Sequence, residues 1–186
     1  LGWRAPFMLI TALSVVFLAV GLRFLPELRH HLGEEKRAHL LSATFSVLAD
    51  GNHLRALLFS ALIIFSGFTV IPYITIYLQS NSGMQAQQVP WIYLCGGVAT
   101  LLSARYFGRL TDRVGKVLVF QRLALAVTVP LMATTLSQGL PLWGLLTIST
   151  LLFTVMSGRM IPGMAMISSA VEPRLRGTFM TLNSAV

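Results

Sequence analysis

The sequence predicts an all-α protein whose helices cross a membrane several times. Apolar residues make up 55% of the 186 residues and charged residues only 11%, whereas a soluble domain carries about 25% charged residues. The apolar residues form long runs, and a run of about 20 is what an α-helix needs to cross a bilayer. Because an open sheet edge cannot be satisfied in lipid, we predict that each run is a helix surrounded by the lipid bilayer.

Five apolar runs are long enough to span a bilayer. They are Ala5–Leu22, Ala56–Leu78, Pro90–Phe107, Val117–Leu136 and Leu142–Val171, with the start of a sixth near Thr178. The segments at 80–89 and 137–141 contain no Lys, Arg, Asp or Glu, while those at 26–55, 108–116 and 172–177 contain most of the cations. By the positive-inside rule, the cation-rich segments are predicted to face the cytoplasm and the uncharged segments the outside.

Charge and cysteine usage exclude several function classes. The formal net charge is +8, but the cations are divided among the connecting segments and form no continuous basic face for nucleic acid. Cys95 is the only cysteine, so neither a disulfide framework nor a Cys/His metal site is expected. The sequence contains no glycine-rich phosphate loop, so we predict no enzyme activity and no cofactor. The histidines, including His53, lie in one polar stretch that is typical of a solvated loop.

The most informative segment runs from Gly108 to Lys116, between the third and fourth spans. It contains three cations and one carboxylate, with glycines near both ends. Such a charge cluster is too costly to place in hydrocarbon, so we predict a short turn at the membrane surface. Glycine permits a sharp reversal of the chain, and Asp112 can accept backbone hydrogen bonds or pair with Arg113.

This segment resembles the signature loop of the major facilitator superfamily of secondary transporters. The matching residues are Gly108, Leu110, Asp112, Arg113, Gly115 and Lys116. The resemblance implies a helix bundle in which the segment joins the second and third helices of a six-helix half and acts as a conformational hinge. The segment Glu172–Gly177 also resembles the family.

The resemblance assigns parts of the chain to particular helices. Residues 1–25 resemble the sixth helix, residues 26–55 the cytoplasmic linker between the halves, and residues 56–186 helices seven to ten with the start of eleven. The chain is then expected to be an internal piece whose partner, the N-terminal half of the same protein, is missing. The alternative, in which residues 108–116 are the first-half copy, leaves the span Ala5–Leu22 unexplained.

The linker is predicted to contain a short amphipathic helix on the cytoplasmic surface, because four apolar residues recur at helical spacing. These residues are Leu40, Leu41, Phe45 and Leu48. The sequence Asp50-Gly51-Asn52 would end this helix, and Asn52 would cap the next one.

The third span carries a small residue at every fourth position. These residues are Gly96, Thr100, Ala104 and Gly108. A flat face lets helix backbones approach closely in a membrane, so we predict that it serves helix packing rather than ligand binding.

Two polar stripes are candidates for the wall of a substrate cavity. The second span carries Ser66, Thr69, Tyr73 and Tyr77 on one helical face, and the fifth carries Thr147, Thr150, Thr154 and Ser157. The resemblance implies that these spans, as helices seven and ten, line a central cavity. The alternative is that the hydroxyl groups bond to backbone carbonyls of the preceding turn.

Arg159 is a charge within the fifth span, where a charge is costly and usually faces a cavity or a partner. It could bind an anionic group of a substrate, pair with a carboxylate of the missing half, or extend to the inner surface. No Asp or Glu lies inside a span, so any proton-coupling carboxylate is expected outside this chain. Glu172, at the end of the fifth span, is predicted to pair with Arg113 or Arg109.

These observations predict a secondary transporter of small molecules that works by alternating access between two halves. The resemblance favours efflux by ion or proton antiport in a cell membrane such as the bacterial inner membrane. Residues 157–159 and 173–183 are most similar to the sugar- and drug-efflux branch. The alternative function is a membrane receptor or scaffold that keeps the fold without transport.

Overall fold

The computed structural model of the protein describes residues 4–24 and 40–185. The predicted linker residues 26–39, which include His30, His31 and His39, lie outside the described residues. The chain divides into two compact units, Leu1–His39 and Leu40–Val186, and each is described by itself.

The described residues form α-helices and one short 3₁₀ helix (Ala86–Gln88), with no strand in residues 4–24 or 40–185. The first unit contains α1 (Ala5–Phe24). The second contains α2 (Leu40–Ala49), α3 (Gly51–Phe68), α4 (Ile71–Ser82), α5 (Val89–Val114), α6 (Lys116–Ala126), α7 (Thr128–Thr135), α8 (Leu142–Ser169) and α9 (Arg176–Ser184). The predicted all-α class is confirmed.

Four helical stretches are long and apolar enough to cross a membrane. They are Ala5–Phe24, Gly51–Ser82, Lys116–Thr135 and Leu142–Ser169. The predicted span Pro90–Phe107 is helical and lies within the 26-residue α5, but α5 is not among the four. Its apolar residues are interrupted by aromatic, small and charged ones such as Tyr93, Gly97 and Arg105, which lower its hydropathy.

Prolines break two of the predicted spans. The helix α3 ends at Phe68, four residues before Pro72, and α6 ends at Ala126, four residues before Pro130. Proline has no N–H with which to bond the carbonyl four residues earlier, and its ring clashes with that carbonyl. Pro162 does not have this effect, since α8 continues through it to Ser169.

At the junction between α2 and α3, both the residue that caps α3 and the burial of His53 differ from the prediction. Asp50, not Asn52, caps α3, because its carboxylate accepts from the backbone N–H of Asn52 at 2.7 Å. His53 is not solvated: it is buried and stacks against Phe179 of α9 at 5.9 Å between ring centroids.

The helix α2 lies where the sequence predicts a short helix, and one of its side chains is buried. Val47 is fully buried, while Phe45 and Leu48 of the predicted apolar face are exposed. Val47 lies in a cluster with Ala56, Ile167 and Phe179, so packing against α3, α8 and α9 decides which side of α2 is buried.

The helix α8 is the centre of the second unit and packs against α3, α5, α6 and α7. Two reciprocal contacts define the α5–α8 interface. A Cβ atom added to Gly96 of α5 would lie 2.6 Å from the Phe153 ring of α8, and one added to Gly158 of α8 would lie 2.6 Å from the Phe107 ring of α5. Each helix therefore contributes one phenylalanine that sits directly on a glycine of the other.

The predicted small-residue face of α5 allows a close contact at Gly96, which lies under the Phe153 ring. At Gly108, an added Cβ atom would meet no atom of the described residues within 4 Å.

Hydrogen bonds connect helices at both ends of the second unit. At one end, Ser82 bonds Ser137 at 2.7 Å. At the other end, Asn52 donates to the carbonyl of Ala170 at 2.9 Å, and Lys116 donates to the carbonyl of Ala165 at 3.3 Å. The segments without charge therefore meet at the first end, and the cation-rich segments meet at the second.

The close approach at Gly96 predicts an asymmetric effect of two neighbouring substitutions. Gly96→Ala is expected to destabilise the purified protein by about 1–3 kcal/mol, the cost of overpacking a well-packed contact. Gly97→Ala is the matched control, because Gly97 is exposed and a Cβ atom there meets nothing within 4 Å. Thermal unfolding in detergent measures both, and equal midpoints for the two variants would contradict the contact.

Opposite ends of the second unit are expected on opposite sides of the membrane. Gln87 lies at the uncharged end and Arg174 at the cation-rich end, and both are exposed. In a Cys95→Ala background, Gln87→Cys is expected to react with an impermeant thiol reagent in intact cells, and Arg174→Cys only after permeabilisation. The reverse pattern would overturn the orientation.

Candidate functional site

A cavity of about 530 Å³ lies among α3, α4, α5 and α8, within the size range of small-molecule sites. Its walls are mainly apolar and include Phe68, Ile71 and Phe153. The polar groups in the lining are Thr100, Ser157 and Arg159.

The break between α3 and α4 forms one side of this cavity. Gly67 and Phe68 precede the break and Ile71 and Pro72 follow it, and all four line the cavity. Pro72 has no N–H to donate to the carbonyl of Phe68, so the helical hydrogen bonds are interrupted at this point. The residues on both sides of the interruption therefore contribute to the cavity wall.

The guanidinium of Arg159 connects α8 to α3 at the cavity wall. Its terminal Nη2 donates a hydrogen bond to Ser66 Oγ. Its Nε is buried without a hydrogen-bond partner in the described residues. Arg159 therefore lines the cavity.

The four residues of the predicted stripe on the second span have different surroundings. Thr69 lies in the turn after α3 and donates to the carbonyl of Ser66 at 3.0 Å. Tyr77 donates to the carbonyl of Thr135 at 3.0 Å, which ties α4 to the end of α7. Tyr73 is 62% exposed. Ser66 belongs to α3 and the two tyrosines belong to α4, on either side of the turn at Thr69 and Val70.

The predicted stripe on the fifth span is divided between two concavities. Ser157 lines the cavity that contains Arg159. Thr147, Thr150 and Thr154 line a separate hollow of about 400 Å³ beside Cys95. Thr147 donates to the carbonyl of Trp143, and Thr154 to that of Thr150, so two hydroxyl groups have the backbone partners of the alternative interpretation.

The charged segment is mostly helix, which corrects the prediction of a nine-residue turn. The helix α5 continues to Val114 and α6 begins at Lys116, so the reversal takes place at Gly115. This residue has φ 102°, in the region that favours glycine. The residues before it contain no proline and include good helix formers such as Leu110 and Arg113, which explains why the helix extends this far.

The residues of the charged segment that match the signature loop have different surroundings. Leu110 packs against the buried cluster that contains Phe107. Asp112 and Arg113 are exposed. Lys116 donates to the carbonyl of Ala165 near the C-terminus of α8, where a cation is stabilised by the helix dipole.

The predicted ion pair of Glu172 is not formed. Glu172 does not come within 4 Å of Arg109 or Arg113, whose side chains are exposed. Lys116 instead connects the charged segment to α8 through the carbonyl of Ala165.

Sequence reasoning missed Phe107, Phe153 and Pro72. Each phenylalanine lies opposite a glycine of the other helix. This pattern can be recognised only when it is known that α5 packs against α8. The signal for Pro72 was present in the sequence as a proline inside a predicted span. Among the residues that the structure describes, no group of three or more His, Cys, Asp or Glu side chains could hold a metal.

The long apolar helices are those of a protein that crosses a membrane several times. A family model of the Major Facilitator Superfamily matches residues 1–186, so the chain belongs to that superfamily. It is a multi-pass membrane protein of a family that transports small molecules and is not a family of enzymes. Comparisons with curated proteins and with solved structures found no significant match.

Proposed function

We propose that this chain forms part of a secondary transporter that exports a small molecule by ion or proton antiport. The observation that carries the proposal is the cavity of about 530 Å³ between a broken helix and α8, with Arg159 in its wall. Broken helices around a midplane site are a recurring arrangement in secondary transporters. A scaffold without a ligand would have no need of a charge held inside the bundle.

Alternating access is the proposed mechanism, with the charged segment as its conformational hinge. Asp112 and Arg113 are exposed at the end of α5, where they are available to a helix of the N-terminal half that the family resemblance implies. Phe107, adjacent to Gly108, packs on Gly158, adjacent to Arg159. Movement of the segment would therefore be transmitted through α5 to the cavity wall.

The remaining assignments rest on the sequence resemblance. Residues 1–25 are proposed as the sixth helix, 26–55 as the linker between halves and 56–186 as part of the second half. Residues 157–159 and 173–183 support a place in the sugar- and drug-efflux branch. A bacterial inner membrane is the proposed location, with the cation-rich segments in the cytoplasm.

Transport can be tested in everted membrane vesicles that maintain an inward-acid proton gradient. A panel of anionic, neutral and cationic aromatic compounds is added, and a pH-sensitive dye reports collapse of the gradient. At least one compound is expected to collapse it in vesicles with the protein and not in vesicles without it. Binding of a panel compound to the purified protein, with no compound-dependent proton flux, would favour a receptor and contradict proton antiport.

Asp112 is expected to matter more to transport than a neighbouring cation. A carboxylate can accept N–H bonds at the start of a helix, where the dipole is positive, and Asp112→Asn keeps the size but removes the charge. Asp112→Asn is expected to lower the transport rate by about tenfold or more, since charge-assisted hydrogen bonds contribute about 1.5–3 kcal/mol.

Arg109→Gln is the matched comparison, because Arg113 and Lys116 remain nearby to supply positive charge. We expect at most about a threefold loss, in line with the small contribution of exposed charges. The amount of each variant in the membrane is measured by immunoblot. Equal transport by Asp112→Asn and the parent at matched amounts would remove the proposed role of the charged segment.

A further inference from the structure

We propose that the cavity beside Arg159 selects an amphipathic organic anion, with a carboxylate or sulfonate group bound by the guanidinium and an apolar body against the surrounding walls. The inference rests on the proposed transport function, since it names the substrate class of the same cavity. It follows from charge, from the unused donors of Arg159 and from the character of the walls.

The charge in the cavity is not compensated by the described protein. Arg159 is the charged residue in the described lining, and a guanidinium is always protonated in proteins. In residues 4–24 and 40–185, no carboxylate lies within 4 Å of it. A cation in an apolar wall is costly unless it is paired. An anionic ligand would supply the missing partner.

The hydrogen bonds of Arg159 point to the same conclusion. A guanidinium has five N–H donors, and in the described residues it donates to Ser66 Oγ through Nη2, while Nε has no partner. The contact with Ser66 holds the side chain between α8 and α3. Other donors remain for a carboxylate or sulfonate, whose oxygens match the fork of a guanidinium. Ser66 is therefore assigned as a positioning residue.

The walls determine the rest of the ligand. Phe68, Ile71, Phe153 and Met160 line the cavity, and methionine adapts its shape to irregular apolar ligands. The other polar side chains in the described lining are the hydroxyl groups of Thr100 and Ser157. A sugar would leave most of its hydroxyl groups without partners against such walls, which is unfavourable. An aromatic or alkyl body with one anionic group satisfies both parts of the cavity.

Three probes of similar shape separate charge from apolar contact: 4-phenylbutyrate, 4-phenylbutyramide and 4-phenylbutylamine. Binding to the purified protein in phosphatidylcholine nanodiscs is measured by equilibrium dialysis, with empty nanodiscs as the baseline. The carboxylate is expected to bind about tenfold more tightly than the amide, as one charge-assisted interaction implies. The amine is expected to bind more weakly than the amide.

Variants assign the selectivity to particular residues. Arg159→Gln is expected to abolish the preference for the carboxylate over the amide, and Arg159→Lys to retain part of it. Ser66→Ala is expected to weaken carboxylate binding and leave amide binding unchanged, so that the difference in affinity between the two probes becomes smaller. Arg105→Gln is the matched control, because Arg105 is exposed on α5 and outside the described lining of the cavity. Thermal unfolding verifies that each variant is folded.

The outcomes separate this inference from the transport proposal. Equal binding of carboxylate and amide, or a preference that survives Arg159→Gln, would overturn the anion site whether or not the protein transports. A preference that depends on Arg159, without proton flux, would support the site and contradict proton antiport. Phosphatidylglycerol in the nanodiscs tests a lipid source of the same chemistry. If a small fraction of phosphatidylglycerol abolishes 4-phenylbutyrate binding, the site is a lipid site and the proposal is overturned.

Discussion

The reciprocal packing of two phenylalanines on two glycines between α5 and α8 is the constraint on which the rest of the second unit depends. Phe153 covers Gly96, and Phe107 covers Gly158, with no space for a Cβ atom at either glycine. In a membrane, lipid is as apolar as the helix surface, so association depends on such close van der Waals contact. These two contacts fix both the distance between α5 and α8 and their register.

The cavity and the charged segment are both attached to this helix pair. Phe153 is itself a wall of the cavity, and Gly158 precedes Arg159. Phe107 directly precedes Gly108, where the charged segment begins. Further along the same segment, Lys116 bonds α8 again at Ala165. A movement of the charged segment would therefore be transmitted to the cavity through packed side chains. Contiguous contacts of this kind can couple two sites physically.

The sequence predicted the helices well because apolar run length has a direct physical cause in bilayer thickness. It did not predict the break at Thr69 and Val70, although Pro72 carried the signal, and residues on both sides of that break line the cavity. Helical spacing also could not predict the hydrogen-bond partners of Tyr77 and Thr154. Tyr77 donates to the carbonyl of Thr135 on another helix, and Thr154 donates to the carbonyl of Thr150 in the preceding turn. Arg159 was identified as exceptional from its charge alone, but Ser66 as its partner required the fold.

The central claim is that Phe107 and Gly158 fit each other and thereby hold the helix pair together. A double-mutant cycle with Gly158→Ala and Phe107→Ala tests it through thermal unfolding of the purified protein. Each single substitution is expected to destabilise, the first by overpacking and the second by leaving a cavity. In the double variant the new methyl group occupies space that the ring has vacated. We therefore expect a favourable coupling of about 1 kcal/mol or more, and additive effects of the two substitutions would contradict the account.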